Sequence, residues 1–387
     1  MKKINFIVSS KDRFHSLELA SELNKKNCLK KLITTYPKNF IEKNYYIPKE
    51  KIISLTYLLI VRKTINILPL KYRRIFIGFL NEIYDLIVSF IIPKNFNVFI
   101  GWSSVSLKTL KKIKNKNKLT FIEKGSIHIK DQNEIMQKEY KKYNINYPKI
   151  LSSSIKREEE EYKLVDKITI TSNFVKKTFN KRNIKNKFFL NPVGVNAKNF
   201  NFNKKKIQLN NFNILYVGGI TIGKGLPYLI NAFNDLNLKN SKLHLVGKSE
   251  KYIKNLVNRI NNPNIILHGH KNIKELKKFY QFSNIFCHPS PQDGGPLTLI
   301  QSMLNETPAI ITLNTMSKDV IKNGVDGFII KPFSTNEIKK KLLFAFKNKK
   351  KIALMGKKAR QKVLGKFTFE DYAKRYIDYS KKIISKN

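Results

Sequence analysis

His288-Pro289-Ser290-Pro291-Gln292-Asp293-Gly294-Gly295-Pro296-Leu297-Thr298-Leu299-Ile300-Gln301 decides how the second half of the chain is read. It follows the apolar run Ile285-Phe286-Cys287, turns through Gly-Gly-Pro, and continues as an apolar stretch of helix length. A strand that restarts as a helix leaves amides near Gly295, Leu297 and Thr298 without intrahelical partners, and the helix dipole adds to their pull on an anion. Pro296 suits the first helical position, where its missing N–H costs nothing. Asp293 precedes the helix and Gln301 lies on it, both able to accept hydrogen bonds from sugar hydroxyls. A capped helix start with Gln301 on the surface is the plainer reading of the same residues.

Upstream, Tyr216-Val217-Gly218-Gly219-Ile220-Thr221-Ile222-Gly223-Lys224-Gly225 has the same construction. Glycines let backbone amides come close to a phosphate, and Lys224 adds a point charge suited to a pyrophosphate. The stretch matches neither the P-loop nor the GxGxxG pattern. A tight βα turn with a solvent-facing lysine is the plainer alternative.

Around these two clusters, short apolar runs alternate with amphipathic stretches. Strands are predicted at 214–217, 243–246, 265–267, 285–287, 309–311 and 328–330, with helices at 226–236, 251–260 and 273–282. Continuous apolar strands separated by helices imply a parallel sheet covered on both faces. The first half repeats the alternation, with strands predicted at 4–8, 32–35, 98–100, 119–122 and 168–171. Residues 51–92 read instead as two apolar helical stretches carrying Arg62, Lys63, Lys71, Arg73 and Arg74. The joint between the halves is expected at 191–206, where Pro192, Gly194 and a lysine run break the periodicity. The spacing predicts a first unit over 1–192 and a second over 201–365. Thr368-Phe369-Glu370-Asp371 reads as a capping box that starts a final helix, expected to pack back on the first unit. No internal repeat or low-complexity linker is evident.

The net charge of +48 over 387 residues suggests a nucleic-acid partner, but its distribution argues against one. Residues 1–200 hold 41 Lys+Arg and 16 Asp+Glu, net +25, leaving +23 for the rest. An even spread beside abundant Asn and Ile points to compositional bias rather than to a binding stripe, and the Lys-rich runs at 111–118 and 347–351 read as solvated helix surface. Two cysteines, Cys28 and Cys287, make no disulfide framework and no metal-ligand spacing, which fits a cytoplasmic chain. The apolar start at 4–8 is cut short by Ser9, Ser10, Lys11 and Asp12, as in a buried strand rather than a signal peptide. Asn81, Glu82 and Asp85 interrupt the apolar stretch 75–92, which argues against a transmembrane helix.

The two clusters together resemble the family-four retaining glycosyltransferases of GT-B fold, whose donor domain carries Val-Gly-Arg-x4-Lys-Gly and Pro-Ser-x2-Glu-x7-Glu. This chain has Val217-Gly218, Lys224-Gly225 and Pro289-Ser290, with Asp293 and Gln301 at the matching separation. Leu245-Val246-Gly247, His268-Gly269, Asn323-Gly324 and Gly194-Val195-Asn196 extend the likeness. So do Phe14-His15-Ser16-Leu17, Gly101-Trp102-Ser103 and Glu123-Lys124-Gly125-Ser126-Ile127-His128 in the first half. Three positions depart from the family: its pyrophosphate Arg is Gly219, and its two Glu are Asp293 and Gln301.

The resemblance implies two Rossmann-like domains with parallel sheets facing across a cleft. It also implies a nucleotide-sugar held by the second domain, and an acceptor, a glycan or lipid-linked glycan, on the first. Lys224, Asp293 and His128 are the implied catalytic residues, His128 matching a histidine that faces the donor sugar in relatives. Gly218, Gly219, Lys224, His270, Asp293, Gly294, Gly295, Leu297, Thr298 and Gln301 are the implied binding residues, with His15 and His288 as further histidines near the site. No Asp-x-Asp occurs and no His/Cys/carboxylate grouping is apparent, so neither metal nor cofactor is expected. Transfer in polysaccharide biosynthesis at the inner face of a membrane is the expected setting, with 51–92 as a candidate membrane contact or, equally, ordinary core helices. The rival readings are a sugar-nucleotide epimerase on the same fold, a nucleotide-sugar-binding protein that has lost transfer, and a nucleic-acid binder.

Overall fold

The computed structural model describes residues 4–114, 117–185, 187–200 and 210–385. The first sheet contains β1 (Phe6–Ser10), β2 (Leu29–Thr34), β3 (Ile52–Ser54), β4 (Val98–Trp102), β5 (Leu119–Lys124), β6 (Lys167–Ile170) and β7 (Phe188–Leu190). Its order is β3-β2-β1-β4-β5-β6-β7, parallel throughout. The second contains β8 (Phe212–Val217), β9 (Ser241–Val246), β10 (Ile265–Leu267), β11 (Ile285–His288), β12 (Ala309–Thr312) and β13 (Gly327–Ile330). Its order is β10-β9-β8-β11-β12-β13, again all parallel.

The apolar runs become central strands because helices cover both faces: every residue of β1, β4 and β5 is buried. The second sheet has a core on each side, one around Phe212, Ile214 and Tyr216, the other around Leu215, Val217 and Phe286. Residues alternate between the two along β8, as the two-residue period of a strand requires. Two strands, β3 and β7, were not expected from the sequence. Each is three residues long, lies at a sheet edge and is only partly buried, so it carries little apolar signal. The rest of 51–92 is helical as expected, in Thr56–Ile65 and Leu70–Ile91.

In each sheet the strand order reverses once, between β1 and β4 and between β8 and β11. Crevices outside the carboxyl ends of strands at such reversals are where doubly wound sheets bind ligands. The turn 218–225 follows β8 and the loop 289–296 follows β11, so both sequence clusters meet at one reversal.

The final helix, Phe369–Ile384, starts on the expected capping box, with Thr368 and Asp371 bonded reciprocally. It packs against the first core, to which Tyr372, Ala373, Tyr376 and Ile377 belong. Buried Glu123 accepts hydrogen bonds from the Tyr372 and Tyr376 hydroxyls. The chain therefore crosses between the sheets twice, and the crossings touch: Val195 N–H donates to Phe367 O at 2.8 Å. Gly194 lies so close to the Thr368 backbone that a Cβ there would overlap it. The expected joint falls partly on 201–209, outside the described residues.

Four of the six histidines are held below their ordinary pKa of 6.5, each chiefly by burial: His128, His244, His268 and His288. For His244 the value is about 4, the charge of neighbouring His268 adding to burial. The folded state then binds fewer protons than the unfolded state, so these groups cost nothing above about pH 6.5 and progressively more as pH falls below it. Thermal melts are expected to show Tm falling between pH 7 and pH 5, and His244→Gln to reduce that slope. A Tm constant across this window would contradict the buried neutral histidines.

Candidate active site

At the tip of β8 the backbone can take its path only with glycine. Gly218 has φ +144° and Gly247, at the end of neighbouring β9, has φ +147°. A Cβ on Gly247 would run into the Gly218 carbonyl oxygen. Thr221 then caps a single 3-10 turn, Ile222–Lys224, its side chain accepting from Lys224 N–H at 3.2 Å. Gly225, at φ +73°, ends the turn against the Pro289 carbonyl, leaving no room for a side chain. This packing of the β8 turn onto the β11 loop sets the chemistry of the site.

Its consequence is an ion pair. Lys224 Nζ donates to Asp293 Oδ2 at 2.5 Å, and His288 Nε2 lies 3.3 Å from the same oxygen. Burial alone would raise the Asp293 pKa, but the Lys224 charge, then His288, hold it well below the carboxylate range. Burial keeps His288 neutral against the pull of Asp293. The His288 ring stacks on Tyr216 at 6.0 Å, and the Tyr216 hydroxyl donates to Gly219 O at 2.8 Å, tying the two clusters together from beneath. Lys224 and Asp293 are thus a cation and a carboxylate at one mouth, partly open to solvent.

The helix after the Gly-Gly turn spans Leu297–Leu304. Pro296 stands one residue earlier than expected, at the N-cap with φ −67° and ψ 109°, so Leu297 and Thr298 open the helix. The amides of this first turn are the ones an α-helix leaves without internal partners. Gln301 differs from the expectation. Its Oε1 accepts from the buried Tyr280 hydroxyl at 3.0 Å, committing one acceptor site of its carbonyl to the interior. His270 is exposed beyond β10, next to Gly269 at φ +69°.

The first half closes over this mouth. Gly294 sits where a Cβ would strike the Gly125 carbonyl oxygen, and a Cβ on Gly295 would lie 3.0 Å from Thr171 Cβ. Thr171 Oγ1 is buried without a hydrogen-bond partner among the described residues. Helix Ile129–Lys141 reaches the β8 turn, with Met136 filling the space beside Gly223. The Tyr140 hydroxyl donates to Glu250, whose other oxygen accepts from Ile222 N–H at 2.9 Å. Asn173 N–H and side chain donate to Asp319 at 3.0 and 2.5 Å. Thr171, Glu250 and Tyr140 carried no signal in the sequence, because their importance comes from a partner in the other half.

His128 lies elsewhere than the resemblance implied. It is the N-cap of Ile129–Lys141, Nδ1 accepting from Lys130 N–H at 3.2 Å. Its ring is fully buried, 5.1 Å from that of Phe179 and 5.7 Å from that of Tyr162. Capping turns the ring inward, away from any open surface. His15 is also drawn inward, 3.4 Å from Glu123 and packed between the rings of Trp102 and Tyr372.

Residues 197–362 match the family described as "Glycosyl transferases group 1". Among curated proteins, the chain is 28% identical over 196 residues to an uncharacterized glycosyltransferase of Methanocaldococcus jannaschii, covering 51% of this chain and 54% of that one. It is 29% identical over 171 residues to the capsular polysaccharide biosynthesis glycosyltransferase CapM of Staphylococcus aureus, covering 42% and 44%. The chain thus spans about half the length of these curated relatives. Among solved structures, sucrose-phosphate synthase of Thermosynechococcus elongatus matches with a TM-score of 0.72 over 100% of both chains at 15% identity. Anabaena HepE, solved with UDP and glucose, matches with a TM-score of 0.69 over 98% of this chain and 100% of that one at 11% identity. At such identities the likeness speaks to the fold, which is GT-B.

The glycine geometry separates two neighbouring positions. Gly247→Ala forces a side chain onto strained backbone and into Gly218, and is expected to cost about 1–3 kcal/mol. At Gly219 an added Cβ meets nothing nearer than Thr221 Cγ2 at 3.7 Å, and φ is not in the left-handed region. Gly219→Ala should therefore leave the urea midpoint nearly unchanged. Equal effects at the two sites would refute this account of the turn.

Proposed function

We propose that this protein is a retaining glycosyltransferase that moves a sugar from a nucleoside diphosphate-sugar to a glycan or lipid-linked glycan, in the building of a surface polysaccharide. The observation that carries this reading is the placement of Lys224 beside Asp293, where the β8 turn meets the start of helix Leu297–Leu304. The group 1 match over 197–362 covers both elements. HepE was solved with UDP, so a uridine diphosphate donor is the first to test.

The diphosphate would lie between Lys224 and the amides of Leu297 and Thr298. Negative charge grows on the leaving phosphate as the glycosidic bond breaks, and donors already fixed in place stabilise it without reorganisation. Binding draws Lys224 towards phosphate, which frees Asp293 to accept a hydroxyl proton from the sugar while His288 keeps it oriented. Gly218 and Gly219 give the phosphates close access to backbone, Gly294 and Gly295 bring the first half against the sugar, and His270 borders the nucleotide side. Gln301, with its carbonyl already engaged by Tyr280, would use its remaining acceptor capacity for the ribose. His128 enters as a positioning residue that caps the helix touching the donor turn. The chemistry asks for no metal, since Lys224 and the helix amides supply the positive potential. Among the described residues no three His, Cys, Asp or Glu side chains group as metal ligands.

Lys224→Ala should remove about 2–4 kcal/mol of transition-state stabilisation, a loss of roughly 30- to 900-fold in kcat. Gly219→Arg places a second cation where backbone and space allow one, and should tighten UDP binding by roughly tenfold, about 1.4 kcal/mol. Thermal shift with UDP and turnover with UDP-sugars measure the two effects. A folded Lys224→Ala protein with wild-type turnover would remove Lys224 from the mechanism.

A further inference from the structure

Helix Leu70–Ile91 carries apolar side chains on its buried face and on a second, exposed face. One face, with Leu80, Tyr84 and Val88, is buried in the first core. The other carries Tyr72, Ile75, Phe76, Phe79, Ile83, Leu86 and Phe90, all exposed. At about 100° per residue these seven fall within an arc of about 100°, centred about 130° from the stripe of Leu80, Tyr84 and Val88. A surface helix needs one apolar face for its core, and among the described residues the second is left exposed.

The stripe continues into the preceding turn and helix, where Tyr57, Ile60, Val61, Ile67 and Leu68 are exposed, Ile67 at 84%. Among the described residues, 13 of the 21 exposed large apolar side chains lie between Tyr57 and Ile91, and the others are scattered along the chain. Single exposed apolar residues are ordinary, whereas a contiguous run of this kind marks an interaction surface. The charge around it is mostly basic. Lys63, Lys71 and Lys94 are exposed at its margins and Arg73 is half-exposed, against Glu82 as the exposed carboxylate. Asp85 is turned inward, bonded to Arg157, Lys108 N–H and Thr109.

We propose that this face docks on an anionic lipid bilayer, with helix Leu70–Ile91 lying in the plane of the interface. A stripe from residue 72 to residue 90 is about 27 Å long at 1.5 Å per residue, and basic side chains at its edges suit anionic headgroups. No helix among the described residues is long and apolar enough to cross a membrane, so the contact is along the surface. A protein partner with a large apolar groove would not require a margin on which Lys63, Lys71, Arg73 and Lys94 outnumber Glu82.

The face also opens towards the site. Ile75 and Phe79 line the rim of a cavity of about 210 Å³, which shares Asn81, Ser104 and Ser154 with a second of about 310 Å³. The inner cavity ends at Met136, the residue packed beside Gly223 in the β8 turn. Docking would set this groove at the headgroup level, where the glycan of a lipid-linked acceptor would enter. That use of the groove rests on the transfer reading above; the docking does not.

The test is sedimentation of the full chain with vesicles of phosphatidylcholine, with and without phosphatidylglycerol, at low and high salt. The wild-type protein is expected to bind the phosphatidylglycerol vesicles and to release as salt rises. Phe76→Glu/Phe90→Glu alters two outward side chains and should lower binding by at least about tenfold while keeping Tm and UDP binding. Failure of the wild type to bind either vesicle, or equal binding by the double variant, overturns the proposal. A wild-type dimer that the double variant converts to monomer also overturns it, by assigning the face to a second copy. Loss of UDP binding in the wild type would count against the transfer reading and leave the docking result standing.

Discussion

The close approach of the β8 turn to the β11 loop is the constraint on which the site depends. Gly225 sits against the Pro289 carbonyl with no room for a side chain, and its φ of +73° is one that L-residues rarely adopt. From that contact follow the capped turn at Thr221, the reach of Lys224 to Asp293, and the stacking of His288 on Tyr216 beneath them. The sheet order supplies the place, a reversal between β8 and β11, and glycine supplies the fit. A cation and a carboxylate held together screen each other's charge. In the proposed transfer, a phosphate that draws Lys224 away would also free Asp293.

The two halves are coupled at the same mouth. Gly294 against Gly125, Gly295 against Thr171, and Met136 against Gly223 are contacts that any opening of the cleft must break. The crossings at Val195 and Phe367 run side by side and join the two halves by two strands of chain. The final helix belongs in sequence to the second half but is anchored in the first core through Tyr372, Tyr376 and Glu123. The two cores are therefore joined through the segments 191–200 and 364–368.

Much of this was legible in the sequence because parallel strands buried on both faces are written as unbroken apolar runs. All six strands of the second sheet were predicted within about two residues, as was the final helix from its capping box. The three-residue edge strands β3 and β7 escaped because half-buried edges carry no such run. Side-chain direction was less legible. Nothing in spacing shows that His128 turns inward to cap a helix, or that Gln301 Oε1 answers Tyr280. Contacts across the cleft, such as Tyr140 with Glu250, join residues 110 apart in sequence and leave no local pattern. Segment 51–92 was ambiguous between core and membrane contact on composition alone. The structure shows helix Leu70–Ile91 burying one apolar face and leaving the other exposed.

The most direct test of the central claim is a crystal structure of the protein with UDP. The account predicts the β-phosphate within hydrogen-bond distance of Lys224 Nζ and of the Leu297 and Thr298 amides, with the Lys224–Asp293 pair lengthened. A nucleotide bound away from the β8 turn, or one leaving Lys224 on Asp293 with its phosphates directed to solvent, would contradict it.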